Sequence, residues 1–227
     1  APTLTKVDAS QVPLSAYLGP VGMPGVTAWI GTYEICQPKA GETLVVNAAS
    51  GAVGSVVGQL AKMKGARVVG IAGGATKVKH VLDDLGFDAC VDYRSPTFRE
   101  DFKAATPNGV DCLFENVGGE VMETVVARFN PFARMALCGL VSQYNETQPQ
   151  GLKTLFSILA NRVTMRGFIV SDHLDKWPQA LAELGAGVAS GKIKYRETVA
   201  EGLPNAPKAF IGMLKGQNLG KQLVKLI

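Results

Sequence analysis

The sequence has no long apolar run and few cysteines. None of its apolar stretches approaches the roughly 20 residues that a membrane-spanning helix needs, and no signal-peptide pattern opens the chain. Its four cysteines stand far apart with no C-x-x-C pair. That spacing excludes a zinc lobe and a disulfide framework, and it is typical of a reducing cytoplasm. We therefore predict a cytoplasmic protein with no membrane partner.

Basic runs and metal-ligand spacings are also missing. The 23 Lys and Arg residues exceed the 19 Asp and Glu residues by a net charge of +4. They are spread along the chain, so no nucleic-acid surface is indicated. The two histidines, His80 and His173, stand without Cys or Asp partners at ligand spacing. We predict no nucleic-acid partner and no metal site, which disfavours a zinc alcohol dehydrogenase.

What the chain does have is a regular alternation of short apolar runs and helical segments. Its 227 residues, 47% of them hydrophobic, can bury a large core. Alternation at this spacing predicts an α/β fold, a Rossmann-type doubly wound parallel sheet with helices on both faces. The predicted strands are 43–48, 67–72, 89–93, 110–114, 134–138 and 163–170. The predicted helices are 53–64, 77–85, 97–105, 120–129, 152–161 and 174–190, with a polar loop at 142–151.

A turn of small residues joins the first predicted strand to its helix. Its pattern is Ala49-x-Gly51-x-x-Gly54, in which Ala49 replaces the first glycine of the usual dinucleotide motif. Small residues are needed there because a Cβ would hold a phosphate away from the backbone N–H groups of the helix. The motif therefore predicts a pyrophosphate site, and its position between strand and helix strengthens the prediction.

The end of the second predicted strand distinguishes between the two nicotinamide cofactors. An NAD site usually has an acidic residue there, which binds the adenosine ribose. Here the strand is followed by Gly73-Gly74-Ala75-Thr76-Lys77, with no acid before Asp83. Lys77 can supply a positive charge for a 2′-phosphate, which predicts NADP(H). The alternative is that Lys77 is a solvated residue in the first turn of a helix.

Four separated motifs give the chain a family resemblance. They are GMPGVTAW at 22–29, NAASGAVGSVVGQ at 47–59, ENVGG at 115–119 and LKGQNLGK at 214–221. With them the chain resembles the medium-chain dehydrogenase/reductase superfamily. Within it the chain is most similar to the zinc-independent alkenal/enone double-bond reductases, the group of the prostaglandin and curcumin reductases. The resemblance implies NADPH-dependent reduction of the C=C bond of α,β-unsaturated ketones and aldehydes by hydride transfer to the β-carbon.

The resemblance also implies a domain organisation. Members of the family carry an N-terminal GroES-like catalytic domain ahead of the part matched here. We therefore expect residues 1–20 to be a linker from that domain, 21–191 the NADP-binding Rossmann domain, and 192–227 a return segment that packs on the missing domain. The return segment reads as strand 195–199, helix 205–215 and strand 220–227. As a truncated piece or a natural fragment, the chain is expected to bind cofactor but to have little activity alone.

The resemblance assigns roles to individual residues. The implied catalytic residue is Tyr144, whose phenol can reach the nicotinamide ribose or a substrate carbonyl. The implied cofactor-binding residues are Gly51, Ala52, Val53, Gly54, Lys77, Tyr93, Asn116, Cys138, Gly139, Leu140, Val141, Ser142, Tyr144, Phe168, Ile169, Val170 and Asn218. Several also have ordinary structural interpretations: a surface aromatic for Tyr93, turn residues for the two asparagines, and strand core for 168–170.

Two other functions stay open at this point. One is a quinone reductase of the same superfamily, and the other is a non-catalytic NADPH-binding module, because a fold does not determine a function. Relatives are commonly dimers joined at the edges of their sheets. A homodimer through the predicted strand 163–170 is therefore a further expectation.

Overall fold

A six-stranded parallel sheet organises the computed structural model, which describes residues 6–148 and 151–226. The strand order is β3-β2-β1-β4-β5-β6, with every pairing parallel. This is the doubly wound order, reversed between β1 and β4, and it confirms the predicted fold class. The strands are β1 (Thr43–Asn47), β2 (Arg67–Ala72), β3 (Ala89–Asp92), β4 (Val110–Glu115), β5 (Phe129–Leu137) and β6 (Thr164–Gly167).

Helices cover both faces of the sheet. They are α1 (Met23–Ile30), α2 (Gly54–Met63), α3 (Ala75–Lys79), α4 (Phe98–Ala105), α5 (Gly119–Val126), α6 (Leu155–Ala160) and α7 (Trp177–Ala189). Alternate residues of β1 enter different cores: Leu44 and Val46 pack with α1, α2 and α7, and Val45 packs with α4 and α5. Because both faces are buried, the strands read as continuous apolar runs.

Several predicted boundaries are wrong in detail. The predicted helix 120–129 ends at Val126, and Phe129 instead begins β5, where it is buried and pairs with Val110. The predicted strand 163–170 is shorter, because the chain leaves the sheet after Gly167. Tertiary pairing overrides local pattern at both places. The predicted segments 1–20, 142–151 and 220–227 include residues 1–5, 149–150 and 227, which lie outside the described residues.

The C-terminal segment forms a small βαβ unit of its own. A two-stranded parallel sheet pairs β7 (Glu197–Glu201) with β8 (Lys221–Lys225), joined by α8 (Ala206–Leu214). The order strand, helix, strand is as predicted. This unit is fastened to the turn after β1, where Gly220 bridges Gly51 and its N–H donates to the Ser50 carbonyl at 3.1 Å.

A buried glutamine makes a second attachment, which joins α2 to the C-terminal segment. Gln59 of α2 accepts a hydrogen bond from the Lys194 N–H and donates one to the Lys194 carbonyl, both at 2.8 Å. At the other end of the chain, Val12, Ala16 and Val21 form a small apolar cluster against Tyr195. Both terminal segments thus pack on the Rossmann unit or on each other within this chain.

No helix in the described residues has the length and apolar character that crossing a membrane requires.

The close approach of Gly220, the residue before β8, to the chain just before β7 can be tested with two glycines of matched conformation. Gly220 (φ +74°) and Gly191 (φ +73°) are both left-handed, but a Cβ on Gly220 would lie 1.9 Å from the Arg196 carbonyl oxygen, whereas one on Gly191 meets nothing within 4 Å. Gly191→Ala should cost only the left-handed penalty, about 1–2 kcal/mol. Gly220→Ala should lower the free energy of unfolding further, as measured by urea denaturation. Equal losses would contradict this steric requirement at Gly220.

Candidate functional site

A cleft opens where the strand order reverses, between β1 and β4. Ligands of open α/β sheets bind at such a point, outside the carboxyl ends of the strands. The cleft has a volume of about 400 Å³, and its walls come from the turn after β1, the end of β2 and the loop between α8 and β8. Six of the predicted cofactor residues line it: Gly51, Ala52, Lys77, Tyr93, Val141 and Asn218.

The turn after β1 requires its small residues for steric reasons. Ala48 has a left-handed conformation (φ +49°), which turns its carbonyl oxygen toward the start of α2. A Cβ on Gly54 would lie 2.4 Å from that oxygen, and one on Gly51 would lie 3.1 Å from it. Val53 caps the helix directly ahead of Gly54. The first N–H groups of a helix lack partners within it, so this turn fits a pyrophosphate.

Three polar side chains join the ends of β1 and β4, and Asn47 among them lines the cleft. The buried Asn47 amide donates to Glu115 Oε1 at 2.6 Å, and Asn47 Oδ1 accepts the Asn116 N–H at 2.7 Å. The Asn116 side chain in turn donates to the Asn47 carbonyl at 3.1 Å. The side chain of Asn116 is therefore used in holding the two strand ends together.

Glu115 also orders the turn that follows it. Its Oε1 accepts the N–H groups of Val117 and Gly118 at 2.6 and 2.7 Å. The side chain is fully buried, and its Oε2 has no hydrogen-bond partner among the described residues. Burial raises the pKa of Glu115 above its ordinary value, although these donors oppose the shift. Asn47 and Glu115 both lie within the sequence motifs, but no role was predicted for either.

The loop after β5 is tied to the same strand end. The N–H groups of Cys138 and Gly139 donate to the Glu115 carbonyl at 2.9 and 3.1 Å, and the Val141 N–H donates to the Asn116 carbonyl at 3.1 Å. Ser142 donates through its hydroxyl to the Val117 carbonyl at 2.6 Å. Burial, together with the charge of Glu115, raises the pKa of the Cys138 thiol to about 11. The thiol is therefore kept un-ionised.

A second cavity of about 510 Å³ lies on the far side of this loop. Six of its lining residues are predicted cofactor residues: Cys138, Gly139, Leu140, Tyr144, Phe168 and Ile169. One of them, Tyr144, is also the predicted catalytic residue. Tyr144 is 66% exposed, and its hydroxyl is 3.0 Å from the point that a Cβ on Gly139 would occupy. Phe168 packs edge-on against Phe114 of β4, with ring centroids 6.2 Å apart.

Five of the predicted residues line neither cavity: Val53, Gly54, Asn116, Ser142 and Val170. Val170 lies furthest along the chain of these. It packs against the hydrophobic core, and its carbonyl accepts the Trp177 indole N–H at 3.3 Å. This packing agrees with the alternative interpretation of Val170 as a core residue.

Two basic side chains, Lys77 and Arg94, lie near the other end of the 400 Å³ cleft. Lys77 donates to the Gly216 carbonyl at 2.6 Å, which links α3 to the loop before β8. Burial, and next the charge of Arg94, lowers the pKa of Lys77. Tyr93 lies against Gly73, where a Cβ would be 2.6 Å from its ring. Asn218 is occupied within its own loop, since its amide donates to the Gly220 carbonyl at 2.7 Å. Neither Arg94 nor Gly216 was predicted from the sequence to lie at this site.

The fold and this cleft define a dinucleotide-binding protein of the doubly wound α/β class. The Zinc-binding dehydrogenase family matches residues 52–186. The chain belongs to that family.

Individual relatives are similar over nearly all of this chain. The 2-alkenal reductase (NADP(+)-dependent) of Nicotiana tabacum is 44% identical over 98% of this chain and 65% of its own length. The NADPH-dependent curcumin reductase of Escherichia coli (strain K12) is 47% identical over 92% of this chain and 62% of its own length. The crystal structure of CurA in complex with NADPH from Vibrio vulnificus superposes with a TM-score of 0.90 at 47% identity, covering 94% of this chain and 65% of that one. The chain thus spans just under two thirds of these proteins.

The family's name mentions zinc. In residues 6–148 and 151–226, no three His, Cys, Asp or Glu side chains are grouped so that they could hold a metal ion. Zinc independence of the whole protein stays a prediction.

The buried carboxyl group of Glu115 predicts a pH-dependent effect on stability. Because its folded-state pKa is raised above the ordinary 4.5, the folded protein holds a proton that the unfolded chain has released. The free energy of unfolding that Glu115 contributes is therefore present below 4.5 and declines as the pH rises toward the folded-state pKa. Glu115→Gln has no such proton, so its stability relative to the wild type should increase with pH, as measured by urea denaturation.

Two variants control this experiment. The exposed Glu100→Gln should show no pH-dependent difference from the wild type. Glu115→Ala removes the acceptor of three donors and should cost roughly 3 kcal/mol or more. A Glu115→Gln difference that stays constant with pH would contradict the interpretation.

Proposed function

We propose that this chain is the cofactor-binding part of an NADPH-dependent oxidoreductase that reduces the C=C bond of α,β-unsaturated ketones and aldehydes. The observation that carries the proposal is the cleft itself, with a glycine turn at one end and Lys77 at the other. The names of the tobacco and Escherichia coli relatives support both the cofactor and the reaction class.

The adenosine half of the cofactor would lie in the cleft between these two ends. The pyrophosphate fits the turn at Gly51–Gly54, because Gly51 and Gly54 have no side chain to hold it away from the backbone and α2 begins at Gly54. The 2′-phosphate of the adenosine fits Lys77 beside the ring of Tyr93. The nicotinamide end fits the loop after β5, next to Tyr144. When bound, NADPH supplies the hydride.

The chain's own residues orient the reactants and handle the proton. Tyr144 is the side chain in the second cavity with a hydroxyl that can hydrogen-bond to a substrate carbonyl or deliver a proton. Phe168 and Ile169 give the same cavity an apolar wall, against which the reacting carbon would lie. The proposed reaction needs no zinc, since the carbonyl is polarised by hydrogen bonding and the electrons come from the cofactor.

The remaining third of such an enzyme would be a GroES-like domain. We propose that residues 1–20 connect to it, that 21–191 form the NADP-binding domain, and that 192–227 return to it. Exposed apolar side chains on the C-terminal unit support this division, with Leu203, Phe210 and Ile211 all more than half exposed. We place the working enzyme in the cytoplasm, where reduced cysteines persist.

An assay with NADPH and a panel of substrates tests the reaction. The 227-residue chain should bind NADPH but oxidise it slowly with any enone, because one wall of the substrate pocket is missing. Joined to the GroES-like domain of a relative, it should reduce alkenals and enones in preference to quinones. Turnover with quinones alone would favour the quinone reductase, and cofactor binding without turnover in the joined protein would favour the non-catalytic module.

Tyr144→Phe is the variant for the proton step. In the joined protein it should lower kcat about tenfold or more while the loop keeps its fold, since no described residue depends on the hydroxyl for its position. An unchanged kcat would assign the proton to solvent.

We also propose a homodimer through the outer edge of β6. This strand pairs with β5 on one side, and all of its residues, Thr164–Gly167, are exposed. Beside it, α6 exposes three large apolar side chains, Leu155, Phe156 and Leu159. An exposed edge flanked by apolar surface is suited to pairing with a second copy, which continues the sheet across the interface.

The dimer is tested by the mass of the chain in solution. Light scattering on a sizing column should give twice the chain mass for the wild type and a monomer for Phe156→Asp. Phe210→Asp changes a similarly exposed phenylalanine on α8 and should stay dimeric. A monomeric wild type, or a dimer that survives Phe156→Asp, would overturn the proposal.

A further inference from the structure

We propose that Arg94 is a second cation for the 2′-phosphate of the dinucleotide and that it determines, together with Lys77, the preference for the phosphorylated cofactor. The inference rests on the proposed function, because it concerns the same cleft. It adds a specificity-determining residue that neither the glycine motif nor the lysine position predicts.

The two cations converge on one point from different elements. Lys77 Nζ and a terminal guanidinium nitrogen of Arg94 each lie 3.5 Å from the position that a Cβ on Gly216 would occupy. The two charges are therefore within about 7 Å of each other. A phosphate group is small enough to be contacted by both at once, with the guanidinium able to donate two parallel hydrogen bonds.

Neither charge is neutralised by the protein. Across residues 6–148 and 151–226, Lys77 and Arg94 form no ion pair with a carboxylate. Two like charges at this separation destabilise each other, and Lys77 is also half-buried. A phosphate dianion relieves this repulsion, whereas the ribose hydroxyl of an unphosphorylated cofactor does not. The charge arrangement thus favours one of the two cofactors.

Arg94 is held in place from two sides. Asp92 Oδ1 accepts the backbone N–H groups of both Arg94 and Gly74 at 2.9 Å, which fixes the end of β3 against the turn that begins α3. The guanidinium lies over the ring of Tyr93, 5.6 Å from its centroid. A cation over an aromatic face is attracted by the ring quadrupole. The backbone that carries Arg94 is therefore fixed ahead of ligand binding, and its exposed side chain is attracted to the ring of Tyr93. Both effects reduce the entropy lost when the ligand binds.

Calorimetric titration with NADPH and with NADH tests the inference without any turnover. Arg94→Ala should raise the NADPH Kd about tenfold or more, because a charge-assisted hydrogen bond is lost, and should change the NADH Kd little. Arg94→Lys should restore part of the NADPH affinity. Arg162→Ala is the matched control, since Arg162 also lies over an aromatic ring, that of Phe132 on β5, and it should change neither Kd.

The outcomes separate the inference from the function on which it rests. A wild type that binds NADH as tightly as NADPH would contradict the proposed cofactor itself. If the wild type prefers NADPH and Lys77→Ala abolishes the preference while Arg94→Ala does not, only the role of Arg94 fails. Equal losses for NADPH and NADH in Arg94→Ala would show that the residue supports the fold of the cleft, and would also overturn the inference.

Discussion

The buried hydrogen bonds among Asn47, Glu115 and Asn116 are the constraint on which the cleft depends. They join the carboxyl ends of β1 and β4 at the one place where the sheet reverses its order. The same carboxylate holds the turn after β4, and the Glu115 carbonyl holds the loop after β5. Three segments that would contact a dinucleotide therefore take their positions from one side chain and its backbone. Such a network is stabilising only when nearly complete, because each unpaired buried group is costly.

The C-terminal unit completes the cleft at both ends. Gly220 contacts the phosphate turn, while Gly216, four residues earlier, accepts the hydrogen bond of Lys77. The loop between α8 and β8 is thus a structural wall of the cofactor site. In the proposed enzyme this unit would have a second task, because its other surface exposes apolar residues toward the GroES-like domain. The loop would then transmit the position of that domain to the cofactor.

Local pattern was enough to predict the sheet, and it singled out the glycine turn and Lys77, which the structure brings to one cleft. Continuous apolar runs, small residues and a missing acid are all visible within one βαβ unit. The pairing of Asn47 with Glu115 was not predictable in that way, since the two residues are 68 positions apart and each resembles an ordinary polar residue at a strand end. The proposed role of Arg94 could not be predicted for a similar reason, because it depends on α3, β3 and the C-terminal loop meeting at one point.

The attachment of the last strand to the first turn also bears on how the protein is made. A ribosome releases the chain from its N-terminus, so the six-stranded sheet has all its strands before β8 exists. The turn after β1 acquires Gly220 as its neighbour only when the chain has emerged as far as that residue. A nascent or prematurely terminated chain would thus carry a folded sheet and an open, unfinished cleft. Competence to bind a dinucleotide would arise only after β8 has been made.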